Sequence, residues 1–181
     1  IDREVPQFAP GLKFTAIAVP NPHLISFVSD EVLADDTLGH VGKMLNSDNP
    51  YFTDGVNVSF AKIEGHNQLF VRTYERGVGF TNACGTGMSA TSLAFCLTHP
   101  QDADFGQTIN VYNPGGMVKT RVHKLADSYY VDLIGNATFT AEVTIPDADL
   151  LANDLSNAVI TDTGEQAVYE KFVASLHRQM V

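Results

Sequence analysis

One apolar segment, at about residues 86–97, is predicted to form a helix, and β-type runs lie on both sides of it along the chain. These runs show the alternating or continuous apolar pattern that is typical of strands. Strands are predicted at residues 13–19, 23–29, 56–63, 69–74, 107–112, 117–123, 129–134 and 137–145. A helix that is apolar on all sides has to be buried. The pattern therefore predicts an α+β domain, in which a mostly antiparallel, barrel-like curled sheet wraps around one central helix.

Shorter helical patterns lie elsewhere in the chain. The acidic pair Asp35-Asp36 can cap a helix that continues to about residue 45. After residue 147 come a helix-like Ala-Asp-Leu-Leu-Ala and a later segment whose apolar residues fit one helical face. A chain of 181 residues with 44% hydrophobic content is sufficient for one core. We expect one domain at residues 1–146 and a helical C-terminal extension at residues 147–181.

The charge of the chain limits its partners. A net charge of −10 argues against binding to nucleic acid or to an anionic membrane surface, because neither attracts an acidic protein. No apolar run approaches the roughly 20 residues of a membrane span, and the first residues do not resemble a signal peptide. We therefore expect no nucleic acid and no membrane among the partners.

The two cysteines, Cys84 and Cys96, do not form a disulfide framework. On one helix they would lie about 18 Å apart, well beyond the roughly 7 Å that a disulfide can bridge. We expect a reduced, cytoplasmic protein in which Cys96 is a small core residue.

A β-type run that ends in Glu75-Arg76 is followed by a glycine-hinged turn and by Cys84, at the mouth of the predicted central helix. A helix N-terminus exposes unpaired N–H groups and a partial positive charge. Those groups, here at Gly85 and Thr86, can hold a carboxylate, and the same field can make a cysteine more acidic than its free pKa of about 8.5. A buried cysteine in a Gly-rich turn is the structural alternative. The acidic and basic neighbours and the paired glycines favour a reactive site.

This stretch, from Arg72 to Thr91, resembles the second active-site signature of the diaminopimelate epimerases. Three other stretches agree with that family in order and approximate spacing, between about residues 13 and 144. They are Asn21-Pro22-His23, Asn57-Val58-Ser59-Phe60 and Pro114-Gly115-Gly116. Four motifs in the same order form a strong signal, although each motif alone is weak.

The resemblance implies an isomerase of lysine biosynthesis that inverts one α-carbon of diaminopimelate without a cofactor. The family has two similar halves, related by pseudo-symmetry, with the active site between them, and the matched motifs belong to the second half. The first residues, which contain Pro6 and Pro10, resemble the linker between the halves. The first half, with its Cys-Gly-Asn-Gly signature, has no counterpart in this sequence. We therefore expect a fragment or isolated domain that is inactive alone, with diaminopimelate as substrate and the missing N-terminal half, or a second copy in a homodimer, as partner.

The resemblance assigns roles to the residues around the central helix. Cys84 would donate or accept the α-proton on one face of the substrate. Glu75 resembles the carboxylate that is paired with this cysteine, and His23 resembles the imidazole that assists the opposite cysteine. Gly85 and Thr86 would receive the substrate carboxylate. No second thiol of this chain suits the other face, because Cys96 is too far along the helix.

The same resemblance assigns the non-reacting end of the substrate, with its amine and carboxylate, to Asn21, Asn57 and Arg76, beside Glu75. An arginine can bind that distal carboxylate in a bidentate geometry that a lysine cannot reproduce. Phe80 departs from the glutamate that is common at its position in the family. No metal is expected, since the other histidines show no ligand spacing.

Other interpretations remain open at this point. The asparagines can be turn residues, Arg76 can pair with a surface carboxylate, and Pro114-Gly115-Gly116 is most simply a hairpin turn without chemistry. The sequence from Gly85 to Ala90 fits G-x-G-x-x-A, but without the βαβ context of a dinucleotide site. A cysteine hydrolase, an epimerase or racemase for another small amino acid, and an amino-acid-binding half-module are the alternative functions.

Overall fold

The computed structural model describes residues 1–179. It divides into two compact units, the first comprising Ile1–Gly135 and the second beginning at Asn136. The described elements of the first unit are β1 (Arg3–Glu4), β2 (Lys13–Val19), β3 (Asn21–Phe27), α1 (Asp30–Ala34), α2 (Thr37–Leu45), β4 (Asn57–Gly65), β5 (Gln68–Glu75), β6 (Gly79–Thr81), α3 (Gly85–Thr98), β7 (Thr108–Asn113), β8 (Gly116–Lys124) and β9 (Tyr129–Ile134). Those of the second unit are β10 (Ala141–Thr144), α4 (Asp147–Ala152), β11 (Val159–Asp162) and α5 (Gln166–Gln179).

The strands of the first unit form one sheet in the order β1-β2-β3-β4-β5-β7-β8-β9, with β6 paired to β5. Among these described strands, only the pairs β3–β4 and β5–β7 are parallel. One edge of β5 is shared, because its first residues pair with β7 and residues 73–75 pair with β6. From β6 the chain reaches α3 through Asn82 and Ala83. The pairing of β6 with β5 therefore brings the residues before α3 next to the end of β5.

Helices pack on both faces of the sheet, and the alternation of side chains along each strand decides which residues face which helix. On one face, Val58 and Phe60 of β4 share a buried cluster with Leu38 of α2. On the other face, Ala61 of the same strand shares a cluster with Met88 of α3. Odd-numbered residues of β4 therefore face α3, and even-numbered residues face α2.

The central helix, α3, is buried over most of its length, as its apolar sequence predicts. It contacts β2, β3 and β4 in one half of the sheet and β7, β8 and β9 in the other. A sheet whose two halves contact one helix has to curl around it. No ladder joins β9 to β1 or β2 within the described chain, so the sheet is curled without being closed. The predicted α+β fold, with a mostly antiparallel curled sheet around one central helix, is confirmed.

Four short elements, β1, β6, α1 and β11, are absent from the predicted pattern. The strand predicted at 137–145 occurs only as Ala141–Thr144, and it pairs with β11 in a separate two-stranded sheet. The second unit contains helices α4 and α5, both within the predicted helical extension at residues 147–181. Residues 180–181 of that extension lie outside the described residues. The domain boundary at 146/147 stays a prediction. Within residues 1–179, none of the helices combines the length and the apolar composition that a membrane-spanning helix requires.

Candidate active site

Cys84 is the residue directly before α3; it has an extended backbone, and the residue as a whole is 7% exposed. The first backbone bond of the helix runs from the Met88 N–H to the Cys84 carbonyl. No side chain caps the helix, so the N–H groups of Gly85 and Thr86 precede this bond without a helical partner. Both residues are partly exposed. The start of α3 therefore has the geometry of an anion-binding site beside a thiol.

The thiol of Cys84 folds back over the first turn of α3. A Cβ on Gly87 would stand 3.1 Å from Cys84 Sγ and 3.4 Å from Ser59 Oγ. A side chain at this position would press on the thiol, so the glycine permits the close packing. Asn82 and Ala83, just before the cysteine, are exposed.

The register of the sheet brings three predicted site residues together from separate parts of the sequence. His23 of β3 is the partner of Asn57 in the parallel pair β3–β4. In the antiparallel pair β4–β5, Val58 is the partner of Tyr74. The next position of that ladder sets Asn57 opposite Glu75. Because side chains alternate along strands, His23, Asn57 and Glu75 all face α3.

The Glu75 carboxylate is hydrogen-bonded to a threonine of β6 and is near enough to Cys84 to affect its thiol. Thr81 Oγ1 donates a hydrogen bond of 2.6 Å to Glu75 Oε1. Burial raises the pKa of the Cys84 thiol above its ordinary value, and the nearby Glu75 carboxylate raises it further. The Gly87 N–H and the Thr86 hydroxyl, whose Oγ1 is 3.8 Å from Sγ, oppose this rise in pKa. The expectation of an unusually acidic cysteine is wrong, because the cost of burying a thiolate exceeds the help from the helix N-terminus.

His23 is 1% exposed, and burial lowers its pKa to about 4 despite the opposing charge of Glu75. The imidazole is therefore neutral at neutral pH. Its Nε2 is 3.3 Å from Asn21 Oδ1, and an amide oxygen only accepts, so Nε2 carries the proton. The other nitrogen, Nδ1, is buried without a hydrogen-bond partner among the described residues. His23 thus presents a neutral ring with one unused lone pair.

Asn57 and Arg76 are linked through the backbone at the end of β5. The Arg76 N–H donates to Asn57 Oδ1 at 2.8 Å, and its guanidinium Nη1 donates to the Asp54 carbonyl at 3.0 Å. Gly55, with a φ of +73°, lets the loop pass beside the arginine, since a Cβ there would stand 3.0 Å from Arg76 Cδ. Arg76 is exposed, and within the described part of the chain it forms no ion pair. Its positive charge is available to a ligand.

Phe80 lies on the opposite face of the sheet from Cys84. It pairs with Tyr74 across β5 and β6, and their rings meet edge to face at 5.4 Å. The Arg72 guanidinium stands 5.2 Å from the Phe80 ring, and Gly39 of α2 packs beneath it. The departure from glutamate at this position therefore lies away from the thiol.

Several site contacts are not predicted by the sequence. Thr81 belongs to β6, which at three residues is too short to give a strand pattern. Pro114 and Gly115 form the predicted hairpin turn between β7 and β8. The Gly115 N–H also donates to the Asn82 carbonyl at 2.8 Å. The turn therefore supports the loop before Cys84.

Cys96 is a core residue, as predicted. It is 2% exposed, and burial raises its pKa to about 11. Both cysteines are free thiols. Among the side chains that the structure describes, which end at residue 176, no group of three or more histidine, cysteine, aspartate or glutamate residues could hold a metal ion. An open surface cavity of about 510 Å³ lies beside His99 at the other end of α3, and none of the predicted site residues lines it.

Comparison with known proteins gives the same family as the motifs. Residues 15–140 match the family model of diaminopimelate epimerase. The chain is 55% identical over 97% of its length to the diaminopimelate epimerase of Lactiplantibacillus plantarum, and covers 54% of that protein. It is 53% identical over 98% of its length to that of Ligilactobacillus salivarius, covering 55%. The chain thus spans about half the length of these curated relatives. A solved structure of a predicted epimerase from Pseudomonas aeruginosa aligns with 83% of this chain and 54% of its own, at 16% identity and a TM-score of 0.46.

Proposed function

Since the chain belongs to the diaminopimelate epimerase family, we propose that it carries one of the two acid/base groups of an amino-acid epimerase. The proposed enzyme interconverts LL- and meso-diaminopimelate without a cofactor. The observation that carries the proposal is the position of Cys84, directly before α3 and against the Glu75 carboxylate.

Inversion at an α-carbon requires a proton to leave one face of the carbon and another to arrive at the opposite face. Two groups on opposite faces do this most simply. The raised pKa keeps Cys84 in its thiol form at neutral pH, so it starts as the proton donor for its face. In the reverse direction it has to accept a proton as thiolate. The Glu75 carboxylate is the adjacent group that can take the thiol proton before that step.

The substrate carboxylate next to the reacting carbon fits the start of α3. Removal of the α-proton leaves a carbanion whose negative charge spreads onto this carboxylate. The N–H groups of Gly85 and Thr86 can stabilise that charge without reorganising. Thr86 also contacts the thiol, at 3.8 Å, so the anion site and the proton donor are neighbours.

The distal end of the substrate fits the loop around Arg76. The exposed guanidinium, which is free of ion pairs within the described residues, supports its role as the partner of the distal carboxylate. Asn57 orients the backbone of Arg76, and Asn21 lies beside His23. In this proposal these three residues select a substrate with a polar far end.

The second acid/base group comes from outside the described residues. Cys96 is excluded by its burial, by its pKa of about 11 and by its place in the last turns of α3. In this proposal the neutral His23, with its unused Nδ1 lone pair, accepts a hydrogen bond from a thiol that approaches from another segment or another copy. The 181-residue chain alone is therefore expected to be inactive.

A cysteine hydrolase fits these contacts less well. A nucleophilic cysteine needs its thiolate at neutral pH, and the surroundings of Cys84 raise its pKa. The charged neighbour of the thiol is the Glu75 carboxylate, which disfavours the thiolate, and the neutral ring of His23 supplies no positive charge to stabilise it. The polar contacts thus support proton transfer rather than attack on a carbonyl.

The experiment that tests the function follows the α-proton. The parent protein, meaning a full-length protein that contains both this chain and the expected N-terminal half, is incubated with LL- or meso-diaminopimelate in deuterium oxide. NMR measures exchange of the α-proton, and chiral chromatography measures inversion. We expect both reactions with the parent and neither with the 181-residue chain. Turnover by the chain alone would contradict the need for a second segment and would favour a site shared in a homodimer. A stable covalent adduct with an acylating substrate would instead favour the hydrolase.

A further inference from the structure

Three hydroxyl side chains lie in a row across β4, β5 and β6. Ser59 is the partner of Thr73 in one ladder, and Thr73 is the partner of Thr81 in the next. Side chains at paired positions lie on the same face of a sheet, which here is the face that α3 covers. Ser59 lies directly beneath the first turn of α3, where its Oγ is 3.4 Å from the point that a Gly87 Cβ would occupy. The row therefore runs under the thiol of Cys84.

The hydroxyls of this row have different partners. Ser59 Oγ and Thr73 Oγ1 bond to each other at 2.9 Å and are buried. Thr81 is the member that bonds to a charged group, donating to Glu75 Oε1 at 2.6 Å. A carboxylate only accepts, so the direction of this bond is fixed. A hydrogen bond to an ionised acceptor is roughly twice as strong as one between neutral groups.

Two features hold Thr81 in place. Its strand, β6, is paired with β5 at both ends of the Thr81–Glu75 hydrogen bond: Thr81 is the partner of Thr73, and Glu75 is the partner of Gly79. Its side chain is β-branched, which restricts rotation about χ1. Glu75, by contrast, is the last residue of β5 and has a long side chain with several rotatable bonds. The hydrogen bond from Thr81 therefore fixes one oxygen of a side chain that is otherwise free to rotate.

We propose that Thr81 is a positioning residue that holds the Glu75 carboxylate against the Cys84 thiol. With one carboxylate oxygen bonded to Thr81, the side chain cannot turn outward to solvent without losing that bond. When the thiol proton passes to the carboxylate, the products are a thiolate and a neutral carboxylic acid, and the reverse step restores the pair. The importance of this geometry for inversion rests on the proposed function, whereas the contact itself is a property of this chain.

The test uses the 181-residue chain and the reactivity of Cys84 rather than its activity. Iodoacetamide alkylates thiolates, so the alkylation rate against pH reports the thiol pKa, and peptide mass spectrometry separates Cys84 from Cys96. The charged or titratable groups that face this thiol are Glu75 directly and, beyond it, His23. Because the Glu75 charge raises the pKa of Cys84, any change that moves the carboxylate away has to lower that pKa.

We expect Thr81→Val, which removes the hydroxyl and keeps the shape, to lower the apparent pKa of Cys84. Its alkylation at neutral pH should become about two- to fivefold faster. Thr81→Ser retains the donor and should behave as the unaltered chain. Glu75→Gln should speed alkylation at least as much, and Thr81→Val should add nothing in that background. Circular dichroism identifies any variant that misfolds. Thr81→Ala is a second variant without the hydroxyl, against which the effect of Thr81→Val is checked.

Two results would overturn the proposal: unchanged alkylation of Cys84 in Thr81→Val, or an effect of the same size with and without Glu75→Gln. The second result would mean that Thr81 acts on the thiol independently of the carboxylate. In the parent enzyme, Thr81→Val should lower kcat more than it changes KM. If the thiol results hold and the parent does not epimerise diaminopimelate, the proposed function fails while the positioning role of Thr81 stands.

Discussion

Gly87 lies so close to Cys84 that a Cβ on the glycine would stand 3.1 Å from Cys84 Sγ. This distance is shorter than an ordinary van der Waals contact, and Ser59 Oγ closes the other side at 3.4 Å. A methyl group at position 87 would therefore meet the thiol on one side and the sheet on the other. The position of the thiol depends on the absence of this methyl group.

Replacing Gly87 by alanine should raise the reactivity of the Cys84 thiol while changing the stability of the chain only slightly. Alanine favours a helix over glycine by up to about 1 kcal/mol, and the contact with Cys84 opposes that gain. We expect a small change in the free energy of unfolding, together with a displaced thiol that iodoacetamide alkylates several-fold faster. Gly85→Ala is the matched control, because its Cβ would meet the flexible end of Leu133 instead of the thiol. Equal alkylation rates in the two variants would contradict this prediction.

Cys84→Ala in the parent enzyme should abolish inversion, because one face of the substrate then has no proton donor. Cys84→Ser should fail almost completely, since a hydroxyl is a far weaker acid than a thiol. The group on the other face could still remove and return a proton, so slow deuterium exchange into one stereoisomer is expected without formation of the other. Cys96→Ala is the control: it loses some stability from the core, where Cys96 is 2% exposed, and retains inversion. Near-normal inversion by Cys84→Ala would eliminate the proposed mechanism.

The parts of this site that depend on local interactions can be predicted from the sequence, and those that depend on contacts between distant segments cannot. The apolar run predicts α3, and the short motif predicts that Cys84 precedes it, because both are local patterns. The convergence of His23, Asn57 and Glu75 depends on the parallel register of β3 and β4. No local pattern gives that register, so the motifs predicted their proximity only through family resemblance. Tertiary burial likewise raises the pKa of Cys84, which the local argument from the helix N-terminus had predicted to be low.

The stability of the chain should fall as the pH is lowered from neutral, partly through His23. Its pKa is lowered from 6.5 to about 4, so below pH 6.5 the unfolded state binds a proton that the folded state does not. The stabilisation is therefore complete above the unfolded pKa and is lost as the pH falls towards the folded pKa, by on the order of 2 kcal/mol. Urea unfolding of His23→Gln at pH 7.5 and 5 should show a smaller loss than the unaltered chain. His66→Gln, at an exposed histidine, should show the full loss. Parallel pH dependence in all three proteins would contradict the assignment.

Phe80→Glu should leave the site unchanged, although it introduces the residue that the resemblance makes common at this position. Phe80 contacts Tyr74 and Arg72 on the face away from the thiol, and those ring contacts contribute about 0.5–1 kcal/mol each. A glutamate can form an ion pair with Arg72, which offsets part of the loss. We expect the free energy of unfolding to fall by less than about 1 kcal/mol and the alkylation rate of Cys84 to stay the same. A changed rate would show that the two faces of β6 are coupled.

Arg76 directly follows the last residue of β5. Its backbone N–H is fixed by Asn57 and its guanidinium by the Asp54 carbonyl, and its charge is exposed. In the parent enzyme, Arg76→Lys keeps the charge but loses the planar fork that meets a carboxylate through two hydrogen bonds. We expect KM for diaminopimelate to rise about tenfold, with a smaller change in kcat, because the contact is made equally in the ground state and the transition state.

Arg72→Lys is the control for this prediction. Arg72 lies within β5, and its guanidinium donates to the Leu33 carbonyl at 2.6 Å and stacks on Phe80, on the face opposite Cys84. Its substitution should change stability and leave KM as it is. Steady-state kinetics with both stereoisomers measure the two parameters. A fall in kcat at constant KM for Arg76→Lys would mean that the guanidinium acts on the reacting carbon, and the distal end of the substrate would then have to bind elsewhere.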